Sequence, residues 1–429
     1  MIELSLWATI GTICGMVFGI IPGAGPFIAT AVLYPFLAAT TPVNIMMYYV
    51  AVLITTNYTN SVTAILYGIP GDASAIPTAR EGYRFFRKGY GALAVSSNAI
   101  SSTIGVIFAV VSFMLLLPTI TSIFKFYNSI VQTIVIAMAI LLIMFFNKQN
   151  KMVTLILFLF GGFLAHVGVD PVTFNSFATF GNSYLSLGIP FSAIMVGLYL
   201  VPEILKIQNL SIDTPKQISN IAIGKNTLIP SLLGSIIGFW CGLIPGITNI
   251  LGSYASAKVV KQFFRLPALK SIAAAEAANN SGALSSLLPL LILAIPITGS
   301  EVLIYYLMLE NGFQFTIQNT ITKLNDIMLF IPFVTMFCLV VSWYGFNLLG
   351  KVAYFYKQYK TLANIFILTT ISIISIVIFP IHEWMVVCLF ILMVLGYALK
   401  RLDTSPIIYG FFLSDLFYES LTRTIVILS

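Results

Sequence analysis

Two clusters of polar residues, one in each half of the chain, could bind an anion or a cation inside an apolar environment. Residues 55–72 read TTNYTNSVTAILYGIPGD, and residues 276–300 read EAANNSGALSSLLPLLILAIPITGS. Each cluster places Asn-Ser ahead of Ile-Pro. Asparagine, serine and threonine offer hydrogen bonds without a net charge, so the clusters predict a neutral binding surface. The alternative is that these groups only join neighbouring helices, where such bonds contribute roughly 0.6 kcal/mol each.

Each cluster follows a proline–glycine interruption of an apolar stretch. Residues 15–26 read GMVFGIIPGAGP and residues 238–249 read GFWCGLIPGITN, so both contain Gly-x-x-x-Gly-x-x-Pro-Gly. Proline lacks an amide donor and ends a helix, and glycine allows backbone conformations that other residues avoid. Within a membrane, such a break is tolerated only where protein or a water-filled cavity surrounds it. Two matched breaks predict the binding site of a secondary transporter.

An anionic substrate is the ligand that this pattern favours. Few lysine or arginine side chains fall inside the apolar stretches, and a helix N-terminus offers free amides and about half a positive charge. The helices that return from the breaks would supply those amides. The predicted substrate-binding residues are Gly23, Ala24, Gly25, Pro26, Asn60, Ser61, Gly246, Thr248, Asn249, Asn279, Asn280 and Ser281. The predicted helix-break residues are Pro22, Pro70, Gly71, Pro245, Pro296 and Gly299.

A coupling ion is expected beside the substrate, because carbonyl groups exposed at the breaks would suit Na⁺. Intramembrane carboxylates are usually functional, although either glutamate here could instead lie at the membrane interface. The residues that could couple an ion are Asn57, Thr59, Glu276 and Glu301. The choice between Na⁺ and H⁺ stays open, and no other cofactor is expected.

An enzymatic reading has little support in the sequence. Asp72 in GIPGDA invites comparison with intramembrane aspartyl proteases, but Ile69 occupies the first glycine position of their Gly-x-Gly-Asp pattern. A lone histidine in an apolar span, such as His166, is more often structural, and no nucleophile–base arrangement stands out in the sequence. We therefore predict that the chain is not an enzyme. A passive anion channel, or a secondary transporter that works without a binding protein, remains the alternative.

Composition identifies the environment in which these elements must fold. The 429 residues are 59% hydrophobic and 8% charged, whereas soluble domains are about 25% charged. The chain is therefore predicted to be an all-α, multi-pass protein of the lipid bilayer. The formal net charge of +7 comes from basic residues in short loops, which orient membrane proteins, so nucleic acid is not an expected partner.

The expected architecture is a pair of inverted-topology repeats containing broken or re-entrant helices, with about twelve membrane segments in all. The first repeat spans residues 1–206, a polar linker spans 207–226, and the second repeat with its C-terminal tail helices spans 227–429. Basic loops follow the two breaks at different points, at 71–90 and at 258–270, which indicates opposite orientations. The same charge pattern places the N-terminus outside the cytoplasm. The GxxxG faces permit a homo-oligomer.

The motifs resemble the large permease subunit of the tripartite tricarboxylate transporter family. Four blocks carry the resemblance: GMVFGIIPGAGP; NYTNSVTAILYGIPGDASAIPTAREGY; GFWCGLIPGITN with AAAEAANNSGALSSLLPLLILAIPITGS; and RLDTSPIIYGFFLSDLFYESLTRTIVILS. The resemblance implies a cation-coupled importer of organic carboxylates in the bacterial cytoplasmic (inner) membrane. It also implies two partners, a small membrane subunit and a periplasmic solute-binding protein, and an elevator-like movement.

The sequence departs from the family pattern at two points. Ile247, Thr248 and Asn249 follow the second proline–glycine pair where small, glycine-rich residues are usual. Pro296 is followed by Ile-Thr-Gly where Pro-Gly is usual. Both departures lie in the predicted binding site, so they bear on the identity of the carboxylate more than on the fold.

Overall fold

The structure is a computed structural model that describes most of the chain. It covers residues 2–21, 25–68, 73–123, 128–147, 149–169, 175–202, 227–244, 248–263, 268–315, 326–345 and 383–428, with short pieces between 319 and 369. Seven predicted break or site residues lie outside the described residues: Pro22, Gly23, Ala24, Pro70, Gly71, Pro245 and Gly246. The predicted linker, residues 207–226, also lies outside them.

The described residues are almost entirely helical, which confirms the all-α prediction. Before the linker the helices are α1 (Ile2–Ile20), α2 (Gly25–Val32), α3 (Tyr34–Ala38), α4 (Pro42–Tyr67), α5 (Ile76–Arg87), α6 (Gly91–Ile123), α7 (Ser129–Phe146), α8 (Lys151–His166) and α9 (Phe191–Ile194). After it they are α10 (Leu228–Leu243), α11 (Thr248–Lys258), α12 (Ala268–Ser285), α13 (Leu287–Leu293), α14 (Gly299–Glu310), α15 (Ile331–Tyr344), α16 (Glu383–Ala398) and α17 (Ser405–Leu428).

The described chain also contains several short elements. One antiparallel pair joins β1 (Gly168–Val169) to β2 (Ser176–Phe177), an element that the sequence did not predict. Single turns of 3₁₀ helix cover Ala73–Ala75 and Leu185–Leu187, and π-helical turns cover Met195–Leu200 and Val259–Phe263.

Local sequence explains where the long helix α4 begins and ends. Pro42 lies in its first turn, where a missing amide donor costs no hydrogen bond. Gly68 ends it in the left-handed region, with φ of 70°, and donates its amide to the carbonyl of Ala64. A glycine cap of this kind satisfies a terminal carbonyl that the helix leaves open. Every residue from Asn44 to Tyr67 is buried, so α4 is an interior element.

Two helices within the described residues, Ile2–Ile20 and Gly91–Leu116, are long and apolar enough to cross a membrane by the usual criteria of length and hydropathy. Five shorter apolar helices accompany them, at Ser129–Phe145, Lys151–His166, Leu228–Leu243, Asp326–Ser342 and Val386–Ala398. Both features fit a membrane protein. The number of segments and their inverted orientation stay predictions.

The chain folds into two compact units, and each draws on both halves of the sequence. The first unit contains Met1–Ser122 and Asn209–Ala363, and the second contains Ile123–Gln208 and Asn364–Ser429. These units follow spatial packing, whereas the predicted division at the linker describes repeats along the sequence. That division stays a prediction. The predicted site residues that the structure describes all belong to the first unit.

In the first unit, glycine-lined helix crossings recur in the two halves. A Cβ atom on Gly15 of α1 would collide with the side chain of Thr55 in α4, and one on Gly238 of α10 would collide with the backbone of Ala278 in α12. The full glycine rows are Gly11, Gly15 and Gly19 in α1, and Gly234, Gly238 and Gly242 in α10. Small residues allow helices to approach closely where lipid provides no hydrophobic drive. The two crossings therefore share one packing register.

The second unit is held by a similar close crossing and by polar ties between its loops. A Cβ on Gly161 of α8 would collide with the carbonyl of Ile407 in α17. The amide of Asn147 donates to the Asp403 carboxylate at 2.9 Å, and the indole of Trp384 donates to a backbone carbonyl at 3.0 Å. None of the predicted binding residues lies in this unit.

Candidate functional site

The helices stop on both sides of each proline–glycine motif. In the first half, α1 ends at Ile20 and α2 begins at Gly25. In the second half, α10 ends at Leu243 and α11 begins at Thr248. The α11 helix turns back along α10, since a Cβ on its Gly252 would lie 3.1 Å from the Cα of Gly238. Each motif therefore lies between the C-terminal carbonyls of one helix and the N-terminal amides of the next.

The returning helices pack on the opposite halves of the sequence. The α2 helix, which follows the first break, packs against α14 of the second half. The α11 helix, which follows the second break, packs against Ala73–Ala75 and α5 of the first half. Both contact partners follow the Ile-Pro of a polar cluster. Each returning helix thus contacts the segment that follows the polar cluster of the other half. This exchange of contacts brings the described site residues into one unit.

A hydrogen-bonded amide pair joins the second break to its polar cluster. The Asn249 side chain, in the first turn of α11, donates from Nδ2 to Oδ1 of Asn279 in α12 at 2.7 Å. Asn279 is completely buried, and a Cβ on Gly282 would lie 3.1 Å from the Cα of Asn249. Close packing and the hydrogen bond together fix the start of α11 against α12.

Several buried polar atoms of α6, α11 and α12 have no hydrogen-bond partner in the part of the chain that the structure describes. They are Nδ2 of Asn279, Oγ of Ser253, Oδ1 of Asn280, Nδ2 of Asn98 and Oγ of Ser97. Buried polar groups in native proteins are nearly always paired, so such a concentration on α6, α11 and α12 requires an explanation. Amide and hydroxyl donors without partners would bind the oxygens of a carboxylate.

Glu276 lies where α12 meets α4 and α5. Its side chain is fully buried, and its carboxylate accepts a hydrogen bond from Ser61 of α4 at 2.6 Å. The second carboxylate oxygen accepts a hydrogen bond from Thr78 of α5. Glu276 therefore lies in the interior of the protein, and its predicted part in ion coupling stays a prediction.

Glu301 is equally buried, but its contacts are those of a helix start. Its carboxylate accepts hydrogen bonds from the backbone amides of Ile297 at 2.6 Å and Thr298 at 3.1 Å, and from the Ser286 hydroxyl at 2.6 Å. The Thr298 hydroxyl accepts from the Glu301 amide, which completes a capping box. The structure gives Glu301 a structural role, and its predicted part in ion coupling stays a prediction.

The other polar residues predicted for the site divide between two faces. Ser61 lies beside Asn60, 3.0 Å from its Oδ1, and both are buried near Glu276. Ser281 instead donates to the carbonyl of Ser235 in α10 at 2.9 Å, and Thr59 donates within its own helix at 2.9 Å and towards α1. The hydroxyls of Ser281 and Thr59 are thus engaged in helix packing.

The described break residues lie where helices begin. Gly25 starts α2 with φ of 47°, in the left-handed region that favours glycine, and the carbonyl of Pro26 accepts from Thr30 at 2.8 Å. Gly299 starts α14 and is buried, as is Pro296. Thr248 starts α11, and its side chain is outside the described set.

The shared glycine register changes how the two clusters correspond. Since Gly15 meets Thr55 and Gly238 meets Ala278, Asn57 corresponds in packing to Asn280, two residues further along in each helix. The sequence had matched Asn60-Ser61 with Asn280-Ser281. A dipeptide match cannot show which residue faces the partner helix, whereas the glycine contacts do.

Sequence reasoning missed two elements of this region. Thr78 donates to Glu276 across the halves, and nothing in its local pattern marks it. Glu81 of α5 accepts a hydrogen bond from Lys261 at 2.5 Å, within the two loops that the sequence identified as basic. Glu81 is an acidic residue within a basic segment. This is the signal that could have suggested its ion pair with Lys261.

Metal coordination by several charged side chains is not found in the described residues, where no three His, Cys, Asp or Glu side chains are grouped as ligands. A cation at this site would have to use hydroxyl, amide and carbonyl oxygens with at most one carboxylate. Hard cations such as the alkali and alkaline-earth ions accept this ligand chemistry.

Comparison with known proteins gives one family and two relatives of undetermined function. The tripartite tricarboxylate transporter TctA family matches residues 6–409. An uncharacterised 52.8 kDa protein in the TAR-I ttuC' 3' region of Agrobacterium vitis is 27% identical over 449 residues, covering 98% of this chain and 87% of that protein. The uncharacterised protein MJ1079 of Methanocaldococcus jannaschii is 25% identical over 261 residues, covering 60% of this chain and 62% of its own. No solved structure matches this chain.

Proposed function

Because the chain belongs to the tripartite tricarboxylate transporter TctA family, we propose that it is the large transmembrane subunit of a binding-protein-dependent importer of organic carboxylates. The family is one of membrane transporters, not of enzymes. Uptake is coupled to a cation gradient. A periplasmic solute-binding protein delivers the tricarboxylate or dicarboxylate, and a small membrane subunit completes the complex in the bacterial inner membrane.

The carboxylate binds between the proline–glycine breaks. The observation that carries this proposal is the Asn249–Asn279 pair at the start of α11, in which Nδ2 of the buried Asn279 has no partner among the described residues. Donors from amides and hydroxyls, together with the N-terminal amides of α2 and α11, compensate a negative charge without a buried lysine or arginine. Neutral donors also let the substrate leave more readily than a fixed ion pair would.

The two halves form inverted repeats with the substrate between them. The shared glycine register of the α1–α4 and α10–α12 crossings supports a repeat. The reciprocal packing of α2 on α14 and of α11 on Ala73–Ala75 supports a two-fold relation in the membrane plane. The basic loops then lie in the cytoplasm, and the N-terminus lies in the periplasm.

Uptake by proteoliposomes tests this function. Vesicles containing the chain and its small membrane subunit, supplied with the binding protein, should accumulate labelled tricarboxylate or dicarboxylate above the external concentration when a cation gradient is imposed. Accumulation should disappear when the gradient is collapsed, because downhill cation entry drives it.

Two results would contradict the proposal. Equilibration of the label without accumulation would indicate a passive anion channel. Accumulation that does not need the binding protein would indicate a secondary transporter of another kind. Vesicles carrying the small subunit alone provide the matched control for leakage.

A further inference from the structure

We propose that Glu276, Ser61, Thr78 and Asn280 form the binding site for the coupling ion, and that this ion is Na⁺. The inference rests on the cation coupling of the proposed function and adds the location and identity of the ion. All four residues are buried, and they come from α4, α5 and α12, so the site joins the two halves of the first unit.

The carboxylate of Glu276 supplies the charge. An ionised carboxylate that is completely buried is unfavourable unless a cation or several hydrogen bonds compensate it. Here Ser61 donates to one oxygen at 2.6 Å and Thr78 donates to the other, and no lysine, arginine or histidine is paired with Glu276 among the described residues. Two neutral hydroxyls orient the group but leave its charge uncompensated, which a bound cation would correct.

The Ser61 hydroxyl can turn to accept a cation without losing its own hydrogen bond. Besides Glu276, its oxygen lies 3.1 Å from the carbonyl of Asn57 and 3.0 Å from Oδ1 of Asn60. The single hydroxyl proton of Ser61 can be donated to any of these three acceptors. Two acceptors therefore remain for it when Ser61 no longer donates to Glu276. The lone pairs of the hydroxyl oxygen are then free to coordinate the ion.

Asn280 provides an independent observation that points to a cation. Its Nδ2 donates to the backbone carbonyl of Glu276 at 3.0 Å, which fixes the amide so that Nδ2 is the donor. Its Oδ1 is buried and has no hydrogen-bond partner among the described residues. Asn280 is one helical turn after Glu276, so the two side chains share a face of α12. An unpaired carbonyl oxygen on that face is a ligand for a cation, not for a carboxylate.

The charge balance favours a single monovalent ion. One Na⁺ neutralises one carboxylate, whereas a divalent ion would leave a net positive charge inside the protein. Because Thr55 in α4 corresponds to Ala278 in α12, the residue of α4 that corresponds to Glu276 is Leu53, which has no carboxylate. The site therefore occurs once, although the surrounding packing occurs twice. A proton would need only the carboxyl group and would not explain the free oxygen of Asn280.

Binding of ²²Na⁺ to the purified full chain tests the site without substrate or binding protein. We expect saturable binding by the wild-type chain at fixed pH. Glu276→Gln, which keeps the shape of the side chain, should weaken binding by at least about tenfold, because it removes the only charged ligand. The matched control is Glu310→Gln, which alters another carboxylate of the same unit, one that accepts a hydrogen bond from Tyr34, and should bind Na⁺ within about twofold of wild type.

Unchanged Na⁺ binding by Glu276→Gln would overturn the proposal, and so would a wild-type chain that binds no Na⁺. If Glu276→Gln does not give a monodisperse protein, Ser61→Ala and Asn280→Ala decide: weaker binding supports the site and wild-type binding rejects it. The result is independent of the transport assay. Na⁺ binding without carboxylate uptake would reject the importer and keep this site, whereas uptake driven by a pH gradient without Na⁺ binding would reject the site and keep the importer.

Discussion

Replacing Asn279 with leucine is expected to reduce carboxylate uptake by at least about tenfold, since hydrogen bonds to charged groups contribute roughly 1.5–3 kcal/mol each. Leucine has the same number and branching of side-chain heavy atoms as asparagine but no polar atoms. It would remove the unpaired Nδ2 that we assign to the substrate, and it would remove the acceptor of the Asn249 amide. Initial rates in the proteoliposome assay, over a range of substrate concentrations, measure the loss.

The matched control is Ser285→Ala on the same helix. Ser285 is also buried, but its hydroxyl donates at 2.8 Å to the carbonyl of Phe239 in α10. The control loses one hydrogen bond of helix packing and should retain most of the uptake. Equal uptake by Asn279→Leu and Ser285→Ala would show that Asn279 does not contact the substrate.

Glu301→Ala is expected to destabilise the folded protein more than any other single carboxylate change outside the cation site. The Glu301 carboxylate accepts from Ile297, Thr298 and Ser286, and alanine would leave these donors without it. Each buried polar group left unpaired costs roughly 1–3 kcal/mol, so the total is several kcal/mol. The melting temperature of the purified protein in detergent, with the yield of monodisperse protein, measures the effect.

A second glutamate on the same helix makes the comparison specific. Glu310 is exposed at the end of α14 and accepts one hydrogen bond, from the hydroxyl of Tyr34 at 2.8 Å. Glu310→Ala should change the melting temperature only slightly. The capping-box account is refuted if Glu301→Ala melts at the same temperature as Glu310→Ala.

The sequence predicted the class of fold and the helix ends around the breaks, because these depend on composition and on local chemistry. Fifty-nine per cent hydrophobic residues require helices that bury their own backbone groups in lipid, and the chain is helical on both sides of each proline–glycine pair. The capping box at Thr298 and Glu301 is likewise local, since it follows from residues three apart. Such features can be read without knowing which helices meet.

The partners of the site residues could not be predicted, because they depend on contacts between distant segments. Ser61 and Glu276 are 215 residues apart, and Thr78 and Glu276 are 198 apart. The sequence identified Ser61 and Glu276 separately but had no means of pairing them. The glycine contacts pair Asn57 with Asn280, which differs from the Asn-Ser match in the sequence, because similar letters do not reveal the helix face that meets a partner.

The exchange of contacts between halves explains why the two units are not the two halves. Helix α11 packs on Ala73–Ala75, and α2 packs on α14, so each half completes the surroundings of the other's break. A reading along the sequence divides the chain at a polar linker, whereas packing groups the segments that share buried polar residues. The two descriptions address different properties of the same chain.

A density map of the chain with a bound tricarboxylate tests the central claim most directly. The account predicts that α1 and α10 end before Pro22 and Pro245, and that the carboxylate contacts residues 246–249 and the Asn279 amide. Continuous helices through both prolines, or a substrate bound away from the breaks, would contradict it.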